Sequence, residues 1–294
     1  MTKHSNLITA KKEKNDEFYT RIEDIENELQ HYTDFFEGKI VFLNCDDPEE
    51  SNFWKYFELN FEHLKLKKLI STHYEVDKPS YKLEIVGDIN GDGKVTKADI
   101  IKTLLKQNGD FRSPEAIEIL KECDVVVTNP PFSLFREYIA QLMEFNKKFL
   151  VIGNMNAIGY KEISPLFQQN KIWLGLNSVK EFIQPDGTVK KFGNILWYTN
   201  IDNKNRHEEI PLYKTYNGHE DEYPKYDNCN AIEVSKCKDI PCDYNGYIGV
   251  PITFLTKYNP EQFEIIKFRK GDDDKDLAIN GKTPYFRILI KRRK

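Results

Sequence analysis

The sequence predicts an α/β protein built on a doubly wound, mostly parallel sheet, and three observations lead there. Short apolar runs of strand length recur along the first two-thirds of the chain, amphipathic stretches at helical spacing lie between them, and the connections are short. Strands covered by helices on both faces need continuous apolar runs, which these are.

The elements follow in order. The polar region from Lys11 to His31 reads as helical, and Lys39-Ile-Val-Phe-Leu-Asn-Cys45 as the first buried strand. Ser51 opens an amphipathic helix through about Leu64. Lys68 to Tyr74 and Lys82 to Val86 read as further strands. Ser113-Pro114-Glu115 is a helix start with a cap, a first-turn proline and an acid at the positive end of the dipole. That helix feeds a strand from Asp124 to Thr128. Leu134, Phe135, Tyr138, Ile139, Leu142 and Met143 then recur at helical spacing, and Phe149-Leu-Val-Ile-Gly153 is the next strand. Ile172 to Gly175 and Asn194 to Thr199 flank a Pro-Asp-Gly turn at 185 to 187 and close the sheet.

Composition bounds what such a protein does. The 294 residues, 39% hydrophobic and 31% charged, suffice for one large domain with a smaller appendage. No apolar segment approaches a membrane span, and Met-Thr-Lys-His-Ser-Asn has no signal-peptide character, so a cytoplasmic protein without a membrane partner is expected. Five cysteines without a C-x-x-C pair fit a reduced compartment. Cys229, Cys237 and Cys242 lie near His219 at spacings that match no common zinc pattern, so they read as free thiols. A net charge of −4 removes the simplest case for nucleic-acid binding and leaves a local basic patch as the route to one.

The most informative stretch is Asn129-Pro130-Pro131-Phe132, between the apolar run Val125-Val-Val127 and a helical run. An Asx-Pro-Pro-aromatic string arises by chance in roughly one percent of chains this long. At the carboxyl end of a buried strand it forms a site for a planar amine. The lone pair of an exocyclic amine on adenine is delocalised into the ring, and two acceptors aimed at its hydrogens draw it out. The Asn129 side-chain oxygen is one acceptor; the Pro130 carbonyl, fixed by proline geometry, is the other. Phe132 stacks on the ring. The competing reading is that Asn129 caps the next helix and Pro130 fills its first turn, which leaves Phe132 unexplained.

Ligands of such sheets bind beyond the carboxyl ends of the strands. The loop after the first strand, Asn44-Cys-Asp-Asp-Pro-Glu-Glu50, has no G-x-G-x-x-G. Its acids repel a pyrophosphate and suit S-adenosylmethionine, which has no phosphate and carries sulfonium and ammonium charges. Equally, these acids serve as solvated residues favouring the next helix N-terminus.

A second pattern conflicts. Asp88, Asn90, Asp92, Thr96 and Asp99 fall at loop positions one, three, five, nine and twelve, with Gly93 at six and helix-like Ile100 to Leu105 behind, as in a calcium loop of the EF-hand or dockerin kind. Asp99 stands where a bidentate Glu is usual, and a strand rather than a helix precedes Asp88. Calcium at Asp88, Asn90, Asp92 and Asp99 therefore competes with a plain polar connection.

Asn15 to Arg21, Asn44 to Pro48, Gly109 to Ser113, Thr128 to Phe135, Gly153 to Ala157, Gly249 to Thr253 and Arg287 to Lys291 occur in an order that resembles the EcoRI-type adenine-specific DNA methyltransferases. The resemblance implies a Rossmann-like methyltransferase sheet with a C-terminal target-recognition region, and methyl transfer from S-adenosylmethionine to adenine N6 in double-stranded DNA. It implies a methyltransferase domain over 1–204 and a DNA-contact region over 205–294. It also implies Asn129 to Phe132 at the target amine, with Asn129 touching the cofactor as well and Asn44, Asp46 and Asp47 near the cofactor's amino-acid end. Asp110 and Phe111 hold its adenine, Tyr19 covers it, and Glu75 faces its ribose or solvent. The adenine must leave the base stack to reach the site. Such an enzyme acts either alone in modification or alongside a cognate restriction endonuclease. Arg206, His207, Lys225, Lys236, Lys238, Lys267, Arg269, Lys270 and the tail 291–294 supply positive charge for phosphates. Two alternatives remain: methylation of an RNA adenine or a protein glutamine amide, and a calcium-dependent interaction module.

Overall fold

The computed structural model describes residues 19–45, 47–76, 78–184 and 187–293. They fall into two compact units, one running to Ala157 and taking in Asn177–Ile201, the other made of Ile158–Leu176 and Asp202–Lys294.

Nine strands form one sheet among the described residues: β1 (Tyr19–Thr20), β2 (Ile40–Leu43), β3 (Lys68–Thr72), β4 (Tyr81–Ile85), β5 (Ile101–Leu104), β6 (Val125–Thr128), β7 (Lys148–Asn154), β8 (Trp173–Ile183) and β9 (Val189–Thr199). Their spatial order is β1-β8-β9-β7-β6-β2-β3-β4-β5. The four central strands, β3, β2, β6 and β7, are mutually parallel. Antiparallel strands flank them, with β9 on β7, β4 on β3 and β5 on β4.

The central runs are apolar because both faces are covered. Val41, Leu43, Val125, Val127, Leu150 and Ile152 share one buried cluster with Ile25 and Leu29 of α1 (Ile22–Leu29) and Phe53 and Phe57 of α2 (Asn52–Leu59). Alternate residues point the other way. Phe42, Val126, Phe149 and Val151 are buried yet outside that cluster, as are Ile119 and Leu120 of α3 (Pro114–Glu122) and Ile139 and Leu142 of α4 (Phe135–Glu144). This is the doubly wound arrangement. Ser51 and Ser113 cap α2 and α3, accepting from Phe53 N at 3.0 Å and Ala116 N at 3.2 Å.

Three expectations need correction. The first described residues of the N-terminal region are a short strand, β1, on β8; the helix starts only at Ile22, and residues 11–18 lie outside the described residues. The helix opened by Ser51 ends at Leu59, where the Asn60 side chain turns back to the Tyr56 carbonyl at 2.8 Å. Most consequentially, Ile100 to Leu105 holds no helix; Ile101–Leu104 is strand β5, paired antiparallel with β4. Pairing with a neighbouring strand overrides a weak helical propensity, and Ile and Thr fit a strand. All four β5 residues are exposed at the sheet's outer edge.

The second unit holds α5 (Ser164–Gln168) and a sheet ordered β10-β11-β13-β12, made of Ala231–Glu233, Tyr247–Pro251, Arg287–Arg292 and Phe263–Phe268 respectively. Lys291 and Arg292 are therefore not a loose basic end; they finish β13, which pairs on both sides. Of the bases read as DNA contacts, Arg206 is buried against the Trp173 ring, 3.6 Å from its centroid. Lys267 pairs with Asp272, Arg269 and Lys270 with Asp276, and His207 with Asp202. No helix among the described residues is long and apolar enough to cross a membrane.

Candidate functional site

Parallel strands end on the same side, so the loops after β2, β3 and β6 share one edge of the sheet. From β2 the chain crosses to β3 on one side and later returns to β6 on the other. The order reverses between β2 and β6, and at such a switch point the two loops diverge and leave a crevice. Asn44 follows β2 and Asn129 follows β6, so the two asparagines flank it.

The tetrad is built onto this edge by packing behind it. Pro130 is buried, while Asn129, Pro131 and Phe132 are half-buried. Phe132 to Leu134 form a single 3-10 turn, with Leu134 N donating to Pro131 O at 2.9 Å, before α4 begins. The N-terminal flanking residues of these helices are Pro131 and Leu134, and neither helix has a side-chain cap. The capping explanation of Asn129 therefore fails. The Phe132 ring sits edge-on to Phe182, with centroids 6.4 Å apart. Behind it, Phe135 presses on Gly153 of β7, where a Cβ would come within 2.5 Å of the ring. A larger residue at 153 would push α4, and the tetrad with it, off the sheet.

The antiparallel hairpin β4–β5 delivers the second group of residues. β4 leads away from the site and β5 returns, so the segment Gly109-Asp110-Phe111 arrives beside the loop after β3. Glu75 N donates to Asn108 O and Ser80 N to Gln107 O, both at 2.9 Å. Gly109, at φ +78°, lies so close to His73 that a Cβ would fall 2.0 Å from its carbonyl oxygen. Phe111 is buried edge-on to Tyr138, with centroids 5.1 Å apart, and the Tyr138 hydroxyl donates to Asn44 Oδ1. Thus Asn44, Asp47, Glu75, Asp110 and Phe111 converge on one end of the sheet. Strand β1, which carries Tyr19, is tied to the start of α2, where Asn52 Nδ2 donates to Thr20 O at 2.8 Å. Asp46 lies outside the described residues.

Several of these groups already have work. The Asp110 carboxylate accepts from Arg112 Nε at 2.8 Å and Nη2 at 2.6 Å, which holds the guanidinium's pKa above its ordinary value. Asp47 Oδ1 accepts from Glu49 N at 2.9 Å, and Oδ2 lies 3.4 Å from His73 Nε2. Glu75 lies 3.5 Å from Lys78. His73, Ser80, Tyr138 and Gln141 were not legible as site residues. Tyr138 hid within the helical periodicity of α4, and the others carried no motif.

Whether S-adenosylmethionine fits is decided by what these residues leave unfilled. Asn44 Nδ2, Thr72 Oγ1 and Gln141 Oε1 are buried polar atoms without a hydrogen-bond partner among the described residues. Native buried polar atoms are almost always paired, so three orphans, on Asn44 after β2, Thr72 at the end of β3 and Gln141 bonded to Phe111 O, call for an explanation. They offer two donors and an acceptor, next to acids, an aromatic ring and no glycine-rich phosphate loop. A zwitterionic, phosphate-free cofactor suits that set.

The calcium-like loop lies elsewhere. It joins β4 to β5 at the opposite end of the sheet, with strands rather than helices on both sides. Asp88 accepts from Gly91 N and Gly93 N, Asn90 from Asp92 N, and Asp92 from Lys94 N. The buried Asp99 accepts from Ile89 N, Asn90 N and Thr96 N. Its oxygens serve backbone donors, and no cluster of His, Cys, Asp and Glu that could hold a metal occurs among the described residues. The five cysteines, including Cys229, Cys237 and Cys242, are free thiols.

Comparison with known proteins bears on the same residues. The chain matches the family described as "Adenine-specific methyltransferase EcoRI" over residues 6–293. It is 52% identical over 315 residues to the type II methyltransferase M.EcoRI of Escherichia coli, covering 98% of this chain and 96% of the relative. It is 40% identical to the type II methyltransferase M.MpnI of Mycoplasma pneumoniae, covering 97% of each. Against M.MgeORF184P of Mycoplasma genitalium the identity is 38%, over 96% of this chain and 97% of the relative. No solved structure gives a significant match.

Proposed function

The chain belongs to the EcoRI-type family of adenine-specific methyltransferases, and from that membership we propose how its own residues carry the reaction. It is a DNA adenine methyltransferase of the restriction-modification kind. Its family implies S-adenosylmethionine as the methyl donor, which when bound supplies a methyl group already activated on a sulfonium.

With an activated donor, the protein's task is alignment and exclusion of water rather than classical general-base catalysis. The Asn129 side-chain oxygen and the Pro130 carbonyl accept the two amine hydrogens of the target adenine and concentrate its lone pair on nitrogen N6. Phe132 stacks on the base, with its own ring braced against Phe182. Inside a duplex that amine is stacked and paired, so the adenine swings out of the helix to reach the slot. Asn44 and Asp47 receive the cofactor's amino-acid end, Glu75 its ribose, and Asp110 and Phe111 its adenine, with Tyr19 covering it. The DNA-contact role belongs to residues 205–294, through exposed bases such as Lys225, Lys236 and Lys238. A cognate endonuclease is the partner to look for, in the cytoplasm beside the DNA.

The single observation that carries this reading is the tetrad's place at the switch point, opposite Asn44. Expression in a host lacking adenine methylation tests it. Plasmid DNA from that host should resist a nuclease blocked by adenine methylation. Asn129→Ala and Phe132→Ala should each lose that protection by more than about a hundredfold in rate, the scale of removing one aligned catalytic donor. Both should keep cofactor affinity by calorimetry, and Phe132→Tyr should retain activity. Turnover by Asn129→Ala at the unmodified protein's rate would end the proposal.

A further inference from the structure

We propose that His73 is a positioning residue of the cofactor pocket, strapping the loop after β2 to the loop after β3. The inference rests on the cofactor placement above and adds a residue to it.

The geometry fixes the histidine's protons. The Ser80 hydroxyl donates its one hydrogen to the His73 carbonyl at 2.7 Å. Its 2.8 Å contact with His73 Nδ1 must therefore be an N–H of the ring donating to the hydroxyl oxygen. The ring thus carries its proton on Nδ1, and a neutral imidazole would turn the bare Nε2 lone pair toward Asp47 Oδ2 at 3.4 Å. Two acceptors facing each other repel. With a proton on Nε2 as well, that contact is an ion pair.

The surroundings hold the ring in that pose. It stacks on Tyr81 at 4.7 Å with planes 8° apart, and Lys102 Nζ stands 3.5 Å from the Tyr81 centroid. Lys102 reaches Glu49 at 3.5 Å. The charged and titratable groups around the ring are therefore Asp47 and Glu49 from the loop after β2, Glu75 from its own loop, Tyr81 from β4 and Lys102 from β5. On its backbone side His73 is pressed by Gly109, two residues before Phe111. His73 thus meets two other segments that carry proposed cofactor contacts, at Asp47 through its ring and at Gly109 through its backbone carbonyl.

The test compares cofactor affinity in four full-length proteins: unmodified, His73→Asn, Asp47→Asn and the double variant. An Asn amide reproduces the Nδ1 donor to Ser80 and lacks the reach to Asp47, so His73→Asn keeps the fold and cuts only the strap. Calorimetric titration with S-adenosylmethionine should show about tenfold weaker binding for His73→Asn, a similar loss for Asp47→Asn, and little further loss in the double variant, as coupled neighbours behave. At saturating cofactor the methylation rate of His73→Asn should be near normal. A thermal melt confirms folding, and Ser80→Ala is the milder substitute if His73→Asn melts early; it should also weaken binding. Full affinity in His73→Asn, or losses that simply add, overturns the strap. Full affinity in Asp47→Asn instead overturns the placement of Asp47 beneath it.

Discussion

At Gly109 the absence of a side chain is a structural requirement. The residue combines φ +78° with a carbonyl oxygen 2.0 Å from where a Cβ would stand, and the obstacle is backbone, which cannot rotate away. Gly109→Ala should cost about 1–3 kcal/mol of stability in chemical unfolding, from the strained conformation and the clash together. It should also weaken cofactor binding, because the segment to Phe111 must move. Wild-type stability there would show that the two loops are looser than described. Residue by residue, legibility followed motif. Asn129 to Phe132 stood out because two prolines and an aromatic ring after an apolar run have few other uses. Asp110 and Phe111 became readable only through resemblance to a family. His73 and Ser80 were silent, since their pairing is made by a strand reversal that no local pattern announces.

Elements were read best where burial imposed the pattern. The parallel strands β2, β3, β6 and β7 were legible because helices on both faces demand unbroken apolar runs, and α3 because Ser113-Pro114-Glu115 is a complete start signal. β5 was not. Its residues lie exposed on an edge, so no burial pattern marks them, and the chain's likeness to a calcium loop suggested a helix. The loop's cohesion comes instead from Asp99, buried and accepting three backbone N–H groups. Those bonds, above all the one from Thr96, hold its carboxyl below the usual carboxylate range. The sign follows directly. Stability from a lowered folded value is complete above the unfolded value of about 4 and is lost as pH falls toward the folded value. Thermal melts from neutral to strongly acid solution should therefore show this contribution disappearing. In Asp99→Asn, which turns an N–H toward those donors, the melting temperature should be lower at neutral pH and less steeply dependent on acid. Equal acid dependence in both proteins would assign the loop's stability elsewhere.

At the scale of the whole molecule, strand direction decides what each loop can reach. Four parallel strands send Asn44, His73 and Asn129 to one side, and an antiparallel hairpin adds Phe111 to them. That division was only half legible: alternation of strand and helix announced the parallel centre, while the antiparallel flank at β4 and β5 depended on a strand read as a helix. The bonded loop from Asp88 to Asp99 is carried by the same hairpin to the other side of the sheet. With the site placed as proposed, the sheet has a working rim and an idle rim, separated by the length of its strands. A short fluorescent reporter spliced into the idle rim between Gly87 and Thr96 should ride on the enzyme and leave protection of plasmid DNA unchanged. Grafting thereby becomes a practical way to watch the protein on DNA without touching its chemistry.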